Sequence, residues 1–258
     1  MMPLDDSNTP TARFSSTVNY YVKYRPSYPE AVLKLLQEQC QLKPGATFAD
    51  IGSGTGIFTE LLLKAGYRVF AVEPNPDMRE QAECLLSPYP NFVSIRAPAE
   101  ATTLKTHSVD AITAATAFHW FEQQETQTEF RRILKPGGTC MLLWNIRDHD
   151  AAPLMRAYQL LLQQYGTDYA KVAAESVGEA EILHFFNPGK VDIAVFPQQQ
   201  LLNWEAFLGR LLSASYTPKP GAPNFDALLA AAKAVFERYQ QGGVVEFYYL
   251  CKCYYGRL

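Results

Sequence analysis

From residue 47 onward, short apolar runs alternate with segments whose apolar positions recur every three to four residues. The runs at 47–51, 68–72, 92–95, 109–114 and 139–144 have the length and β-branched or aromatic content of buried strands. Helical spacing follows the first run, through Leu61, Leu62 and Leu63 to a stop at Gly66. It returns over 75–86, which Pro76 opens, and again over a polar stretch that ends at Leu134. Lys135-Pro136-Gly137-Gly138 reads as a turn before the fifth run. Strands alternating with helices imply right-handed βαβ crossovers and a parallel sheet. Ahead of the first strand, Ala31, Val32, Leu35 and Leu36 predict one more helix, stopped by Lys43-Pro44-Gly45.

After Asn145 the rhythm changes. Residues 151–165 are helical, with Leu154, Tyr158, Leu161 and Leu162 on one face, and the chain to 187 reads as irregular and helical. A strand is predicted at 191–196, helices at 204–212 and 225–239, and a β-branched and aromatic strand at 244–254. No linker composition separates these parts, so 1–258 reads as one domain. Within it, 17–40 forms an N-terminal lid segment and helix, and 146–190 and 203–240 form helical inserts on the substrate side. Residues 1–16 are polar, with few large apolar side chains, and predict a mobile tail.

Composition narrows the function classes. A net charge of −3 among 258 residues excludes nucleic-acid binding through a broad basic surface. No stretch reaches the roughly 18 consecutive apolar residues of a membrane span. The opening residues lack the basic-then-apolar plan of a signal peptide. The five cysteines are odd in number and scattered, which fits reduced thiols. These features predict a cytoplasmic protein with no nucleic-acid or membrane partner, and they leave both a monomer and a homodimer open.

Candidate chemistry gathers at the strand ends. Asp50-Ile51-Gly52-Ser53-Gly54-Thr55-Gly56 joins a strand to a helix, and glycines there let a ligand approach the main chain closely. A dinucleotide fingerprint would place a third glycine where Ile57 stands. Asp50 also suits a cationic ligand better than a pyrophosphate. Glu73, at the end of the second strand, is placed to accept hydrogen bonds from two ribose hydroxyls. His119 and Trp120 follow the fourth strand, where ligands of doubly wound sheets collect. His119 could take a proton from a nucleophile or simply shape the pocket, and Trp120 and Phe121 could wall it. Cys251 and Cys253 share a strand face without a second ligand pair at zinc spacing, so they read as core and no metal is expected.

Taken in order, five pieces resemble the class I S-adenosylmethionine-dependent methyltransferases. They are the glycine turn, Val72-Glu73-Pro74-Asn75, Ala97-Pro98-Ala99-Glu100, Ala115-Thr116-Ala117-Phe118-His119-Trp120, and Leu134-Lys135-Pro136-Gly137-Gly138. The opening Tyr-x-x-x-Arg-Pro-x-Tyr-Pro at 21–29 and Ser213-Ala214-Ser215-Tyr216 resemble the trans-aconitate methyltransferase-like enzymes of the methyltransferase type 11 group. The resemblance implies a Rossmann-like α/β fold, a doubly wound seven-stranded sheet of order 3-2-1-4-5-7-6. Strand 7 is antiparallel, helices cover both faces, and inserted helices follow strand 5. It implies S-adenosylmethionine as cofactor and S-adenosylhomocysteine as product. Methyl transfer would go by direct displacement to a small acceptor's oxygen or nitrogen, a carboxylate included.

Carried over by the resemblance, Asp50, Gly52, Ser53 and Gly54 hold the methionine part, and Glu73 the ribose. Met78 packs near the adenine. An acidic residue often precedes the Ala-Glu pair in the family, but Pro98 stands there, leaving adenine recognition to backbone around Ala99 and Glu100. Arg25 pairs with the cofactor carboxylate, a task its guanidinium fork suits. Tyr21, Pro74, Thr116, Ala117 and Trp120 complete the expected cofactor-binding set, with His119 as the candidate catalytic residue and residues 213–216 closing the pocket from the opposite side. Two other classes stay open on the residues alone: a non-catalytic S-adenosylmethionine-binding protein and a nucleotide-cofactor oxidoreductase.

Overall fold

Strands that are apolar on both faces belong in the middle of a covered sheet, and β1 (Thr47–Ile51) is buried along all but its first residue. It pairs in parallel with β2 (Arg68–Val72) on one side and β4 (Val109–Ala115) on the other. β3 (Phe92–Ile95) adds in parallel to β2, and β5 (Leu134–Arg147) to β4. β7 (Val244–Gly256) then inserts antiparallel between β5 and β6 (Val191–Asn203). The order is β3-β2-β1-β4-β5-β7-β6, as the resemblance implied. The computed structural model describes residues 24–167, 169, 178–214 and 216–258. The tail expected over 1–16 and the site residue Tyr21 lie outside the described residues.

Helices cover both faces of this sheet. On one, α1 (Glu30–Glu38), α2 (Ile57–Lys64) and α3 (Pro76–Leu86) bury Leu36, Leu62 and Leu86 against Phe48, Val69 and Met141. Cys251 and Cys253 are fully buried in that layer, as their shared strand face predicted. On the other, α4 (Gln123–Ile133) and α6 (Glu179–Phe185) pack Phe130, Ile133 and Phe185 onto Ile51, Ile112 and Leu142. A third cluster joins α5 (Pro153–Tyr165), α7 (Trp204–Leu212) and α8 (Phe225–Tyr239) to Leu202, Phe247 and Tyr249 of β6 and β7.

Two elements differ from the sequence expectation. β5 begins at Leu134, because the ladder with β4 steps from Val109–Leu134 directly to Ala111–Thr139 and loops out Lys135-Pro136-Gly137-Gly138 between them. The predicted turn is therefore an excursion inside a strand. β6 runs to Asn203, through Pro197 and seven residues beyond the predicted end at 196. It is an edge strand, where the N–H that proline lacks is not required for a second ladder.

Candidate active site

The chain leaves β1 through Gly52 and Gly54, both at positive φ, +65° and +58°. The N–H groups of Gly52 and Ser53 are tied to the Val72 carbonyl at 2.8 and 3.1 Å, so the turn is anchored to the end of β2. A methyl group on Gly52 would lie 2.6 Å from Cβ of Ala117, whereas one on Gly54 would meet no atom within 4 Å. Gly52 thus serves close packing, and Gly54 leaves open space above the backbone.

That space belongs to a cavity of about 350 Å³ at the C-terminal ends of β1, β2 and β4, within the size range of small-molecule sites. Gly52, Ser53, Gly54 and Thr55 form its floor, and Glu73, Pro74 and Met78 one wall. Ala99 and Glu100 follow from the loop after β3, and Thr116, Ala117 and Trp120 from the end of β4. Arg25 and Tyr28 enter from the N-terminal segment. Thr116 holds φ at +57° although it has a β-branched side chain, and its N–H donates to the Leu143 carbonyl at 2.7 Å. Strain of this kind persists where surrounding structure fixes it, commonly at ligand sites.

Glu73 is buried, with 8% of its surface exposed. Its two carboxylate oxygens accept from the Gly54 and Asn75 N–H groups, each at 2.8 Å. Burial raises its pKa against the lowering effect of these two bonds and of Arg79. Each oxygen keeps a lone pair for another donor. The hydroxyls of Ser53 and Thr55 are buried at the cavity with no hydrogen-bond partner among the described residues. Unsatisfied buried hydroxyls are costly, and a polar ligand above the turn would satisfy them.

Two predicted site residues do not line the cavity. Asp50 is fully buried beneath the turn, accepting from Thr59 at 2.6 Å and Thr113 at 2.9 Å. Burial, opposed by those two hydroxyls, pushes its pKa up to about 6. Its carboxylate braces α2 and β4 rather than facing the cavity. His119 is solvent-exposed on the short turn Phe118–Trp120, its ring 4.7 Å from that of Trp120. Although the residue keeps much of its surface in solvent, protein crowded around the ring and then the Arg25 charge hold its imidazole below the ordinary range, so it is neutral at pH 7. Sequence reasoning overlooked Tyr28, Asn145 and Arg210 as lining residues. Tyr28 stood within the aromatic motif at 21–29 and bonds Thr116 at 3.0 Å. Asn145 and Arg210 carried no local signal.

The N-terminal segment is fastened across this rim. Asn145 and Gln198 donate to the Ser27 carbonyl at 3.0 and 2.7 Å. Tyr24 donates to Glu205 at 2.7 Å, and its ring lies against α7 where Gly209 leaves room. Arg25 reaches the Ser213 carbonyl at 3.4 Å.

Residues 49–142, which span the turn, Glu73 and the end of β4, match the model of a methyltransferase domain. The chain carries a methyltransferase domain there, of the S-adenosylmethionine-dependent kind that the five motifs resemble. The methyltransferase is 29% identical to an uncharacterised methyltransferase-like protein of Schizosaccharomyces pombe, over 80% of this chain and 78% of that one. It is 38% identical to an uncharacterised methyltransferase of Mycobacterium bovis over 52% of this chain, an alignment that spans about half (53%) of that relative. Among solved structures, a provisionally assigned type II methyltransferase from Anaeromyxobacter dehalogenans superposes with a TM-score of 0.65 at 24% identity, covering 91% of this chain and 98% of that one. A Geobacter sulfurreducens methyltransferase in complex with S-adenosylhomocysteine gives 0.52 at 14% identity, covering 95% and 96%. These likenesses concern the fold.

The residues of this methyltransferase fit the family's cofactor: a glycine floor open above Gly54, two hydroxyls awaiting partners, and a buried carboxylate with lone pairs to spare. Among the described residues, no group of three or more His, Cys, Asp or Glu could hold a metal ion, and no helix is long and apolar enough to cross a membrane.

Proposed function

We propose that this methyltransferase transfers the methyl group of S-adenosylmethionine to an oxygen or nitrogen of a small-molecule acceptor. The observation that carries the reading is the cavity over the glycine turn, with the buried Glu73 carboxylate on its wall. When bound, the cofactor supplies an electrophilic methyl group on a sulfonium. Glu73 accepts from the ribose hydroxyls, and Gly52, Ser53 and Gly54 cradle the methionine part. Met78, with backbone near Ala99 and Glu100, lines the adenine end, where Pro74 also contributes. Arg25 pairs with the cofactor carboxylate, while Thr116, Ala117 and Trp120 wall the methyl-bearing centre. Asp50 acts as a positioning residue, holding α2 and β4 under the turn through Thr59 and Thr113.

The acceptor enters from the side of the inserted helices, and the fastened N-terminal segment limits water above the site. Direct displacement depends chiefly on orientation and desolvation, and these residues supply both. His119 stands next to Trp120 beside the cavity and outside its lining, and the role assigned to it here is to shape the rim rather than to act as base. Calorimetric titration with S-adenosylhomocysteine tests the reading. Wild-type protein should bind it and not NAD. Glu73→Ala should weaken binding by about 10- to 100-fold, the worth of roughly 1.5–3 kcal/mol for hydrogen bonds to a charged group. Equal affinity in wild type and variant would remove Glu73 from the cofactor site.

A further inference from the structure

Asn145, on β5, lines the cavity beside the end of β4. The two strands are locked in register there, for the Thr116 N–H donates to the carbonyl of Leu143, two residues before Asn145. Asn145 Nδ2 donates to the Ser27 carbonyl at 3.0 Å, and Gln198 Nε2 donates to the same oxygen at 2.7 Å. Tyr28, the next residue, is held to Thr116 at 3.0 Å. The N-terminal segment is thus pinned at both Ser27 and Tyr28, and Asn145 is one of the pins.

That bond fixes which way the amide points. A carbonyl only accepts, so the nitrogen faces Ser27 and Oδ1 is turned away from it. Oδ1 is buried, and among the described residues it has no hydrogen-bond partner. It is an acceptor set among donors, because the guanidinium groups of Arg25 and Arg210 that also line the cavity can only donate. A buried amide oxygen without a donor is costly, and a ligand that brings an N–H or O–H removes the cost. The ribose held by Glu73 is out of reach. Glu73 stands at the end of β2, three strands from β5, about 14 Å at the usual strand spacing.

We propose that Asn145 Oδ1 receives the N–H or O–H of the acceptor's attacking atom and aims that atom's lone pair at the methyl group. The proposal rests on the methyltransferase reading above and gives a residue of β5 the task of positioning the nucleophile. In the displacement, the nucleophile's lone pair forms the bond to the methyl carbon. The carbon–sulfur bond breaks, and its electron pair returns to sulfur. The proton held against Oδ1 becomes acidic as the new bond forms and passes to water, since an amide oxygen is too weak a base to keep it. A site built to take a donor discriminates strongly against a group that has none. A carboxylate brings no proton and repels the amide oxygen, so it is a poor nucleophile here. A hydroxyl or an amine is a good one. Because the same amide fastens Ser27, closure of the segment and the aim of the oxygen go together.

The probes are S-adenosylhomocysteine, which has nothing at the transfer point, and sinefungin, in which an amine-bearing carbon replaces the methyl-bearing sulfur. Both are titrated calorimetrically into the full chain, and the readout is the ratio of their affinities. Sinefungin should bind wild type the more tightly. Asn145→Leu and Asn145→Asp are close in size and both give up the bond to Ser27, but only aspartate keeps an acceptor oxygen. The sinefungin advantage should fall by about tenfold in Asn145→Leu and be kept or raised in Asn145→Asp. Should Asn145→Leu fail to fold, Asn145→Ala removes the same oxygen and should show the same fall. Absence of a sinefungin preference in wild type, or a ratio unmoved across the variants, overturns this proposal alone and leaves Asn145 as a fastener of the segment. So does a loss of S-adenosylhomocysteine affinity in Asn145→Leu that Asn145→Asp restores, which would give the oxygen to the cofactor's own ammonium. Failure of both analogues to bind wild type overturns the cofactor reading and this proposal together.

Discussion

Two carboxylates near the glycine turn have opposite surroundings, and their chemistry separates accordingly. Glu73 keeps backbone N–H donors and open lone pairs, whereas Asp50 faces two threonine hydroxyls in a closed interior. The folded-state pKa of Asp50, about 6, lies above its ordinary 3.8, so the native protein binds that proton more tightly than the unfolded chain. Its contribution is therefore fully present below pH 4 and is lost as pH rises to 6, on the order of 2–3 kcal/mol. Asp50→Asn should remove this loss, so urea denaturation at pH 4 and 7.5 should show the variant gaining on wild type at the higher pH. A constant difference between the two proteins would contradict it. His119 makes a separate case: exposed and outside the cavity, it should tolerate His119→Ala with a change in kcat below about tenfold. A general base would cost 10²-fold or more.

Among the elements, the glycine turn sets the sharpest demands. Gly52→Ala combines left-handed backbone with a contact at 2.6 Å and should destabilise the fold by about 2 kcal/mol or more. Gly54→Ala meets only the backbone cost of roughly 1–2 kcal/mol, yet its methyl group enters the ligand space. Thermal melts should rank Gly52→Ala below Gly54→Ala, while S-adenosylhomocysteine titration should show Gly54→Ala weakened more than its stability accounts for. Such a turn was readable from sequence because its requirement is local: three glycines between an apolar strand and a helix. So were β1 to β4 and the cavity wall at Glu73, Ala99 and Trp120, each at a strand end. The length of β6 was not, since Pro197 and three glutamines are tolerated only because that strand is at the edge. The burial of Asp50 and the meeting of Arg147 with Tyr216 depend on pairings 63 and 69 residues apart in sequence, which no local pattern encodes.

For the molecule as a whole, the cofactor side and the insert side have separate hydrophobic clusters joined by one sheet. Phe207, fully buried among Tyr158, Trp204 and Phe236, anchors the insert cluster. Phe207→Ala should cost about 3–5 kcal/mol in urea denaturation. S-adenosylhomocysteine affinity should fall far less, since Glu73 and the turn pack in the other clusters. Comparable losses in both would mean the two sides do not respond separately. The placement of β7 between β5 and β6 carries a consequence for synthesis at the ribosome. Domains fold as their chain emerges, and β1 to β5 can assemble as soon as they appear. β6 emerges next but has no neighbour to join until β7 follows it, some fifty residues later. Throughout that interval the nascent chain presents two unpaired strand edges, those of β5 and β6, where a holding chaperone has most to protect.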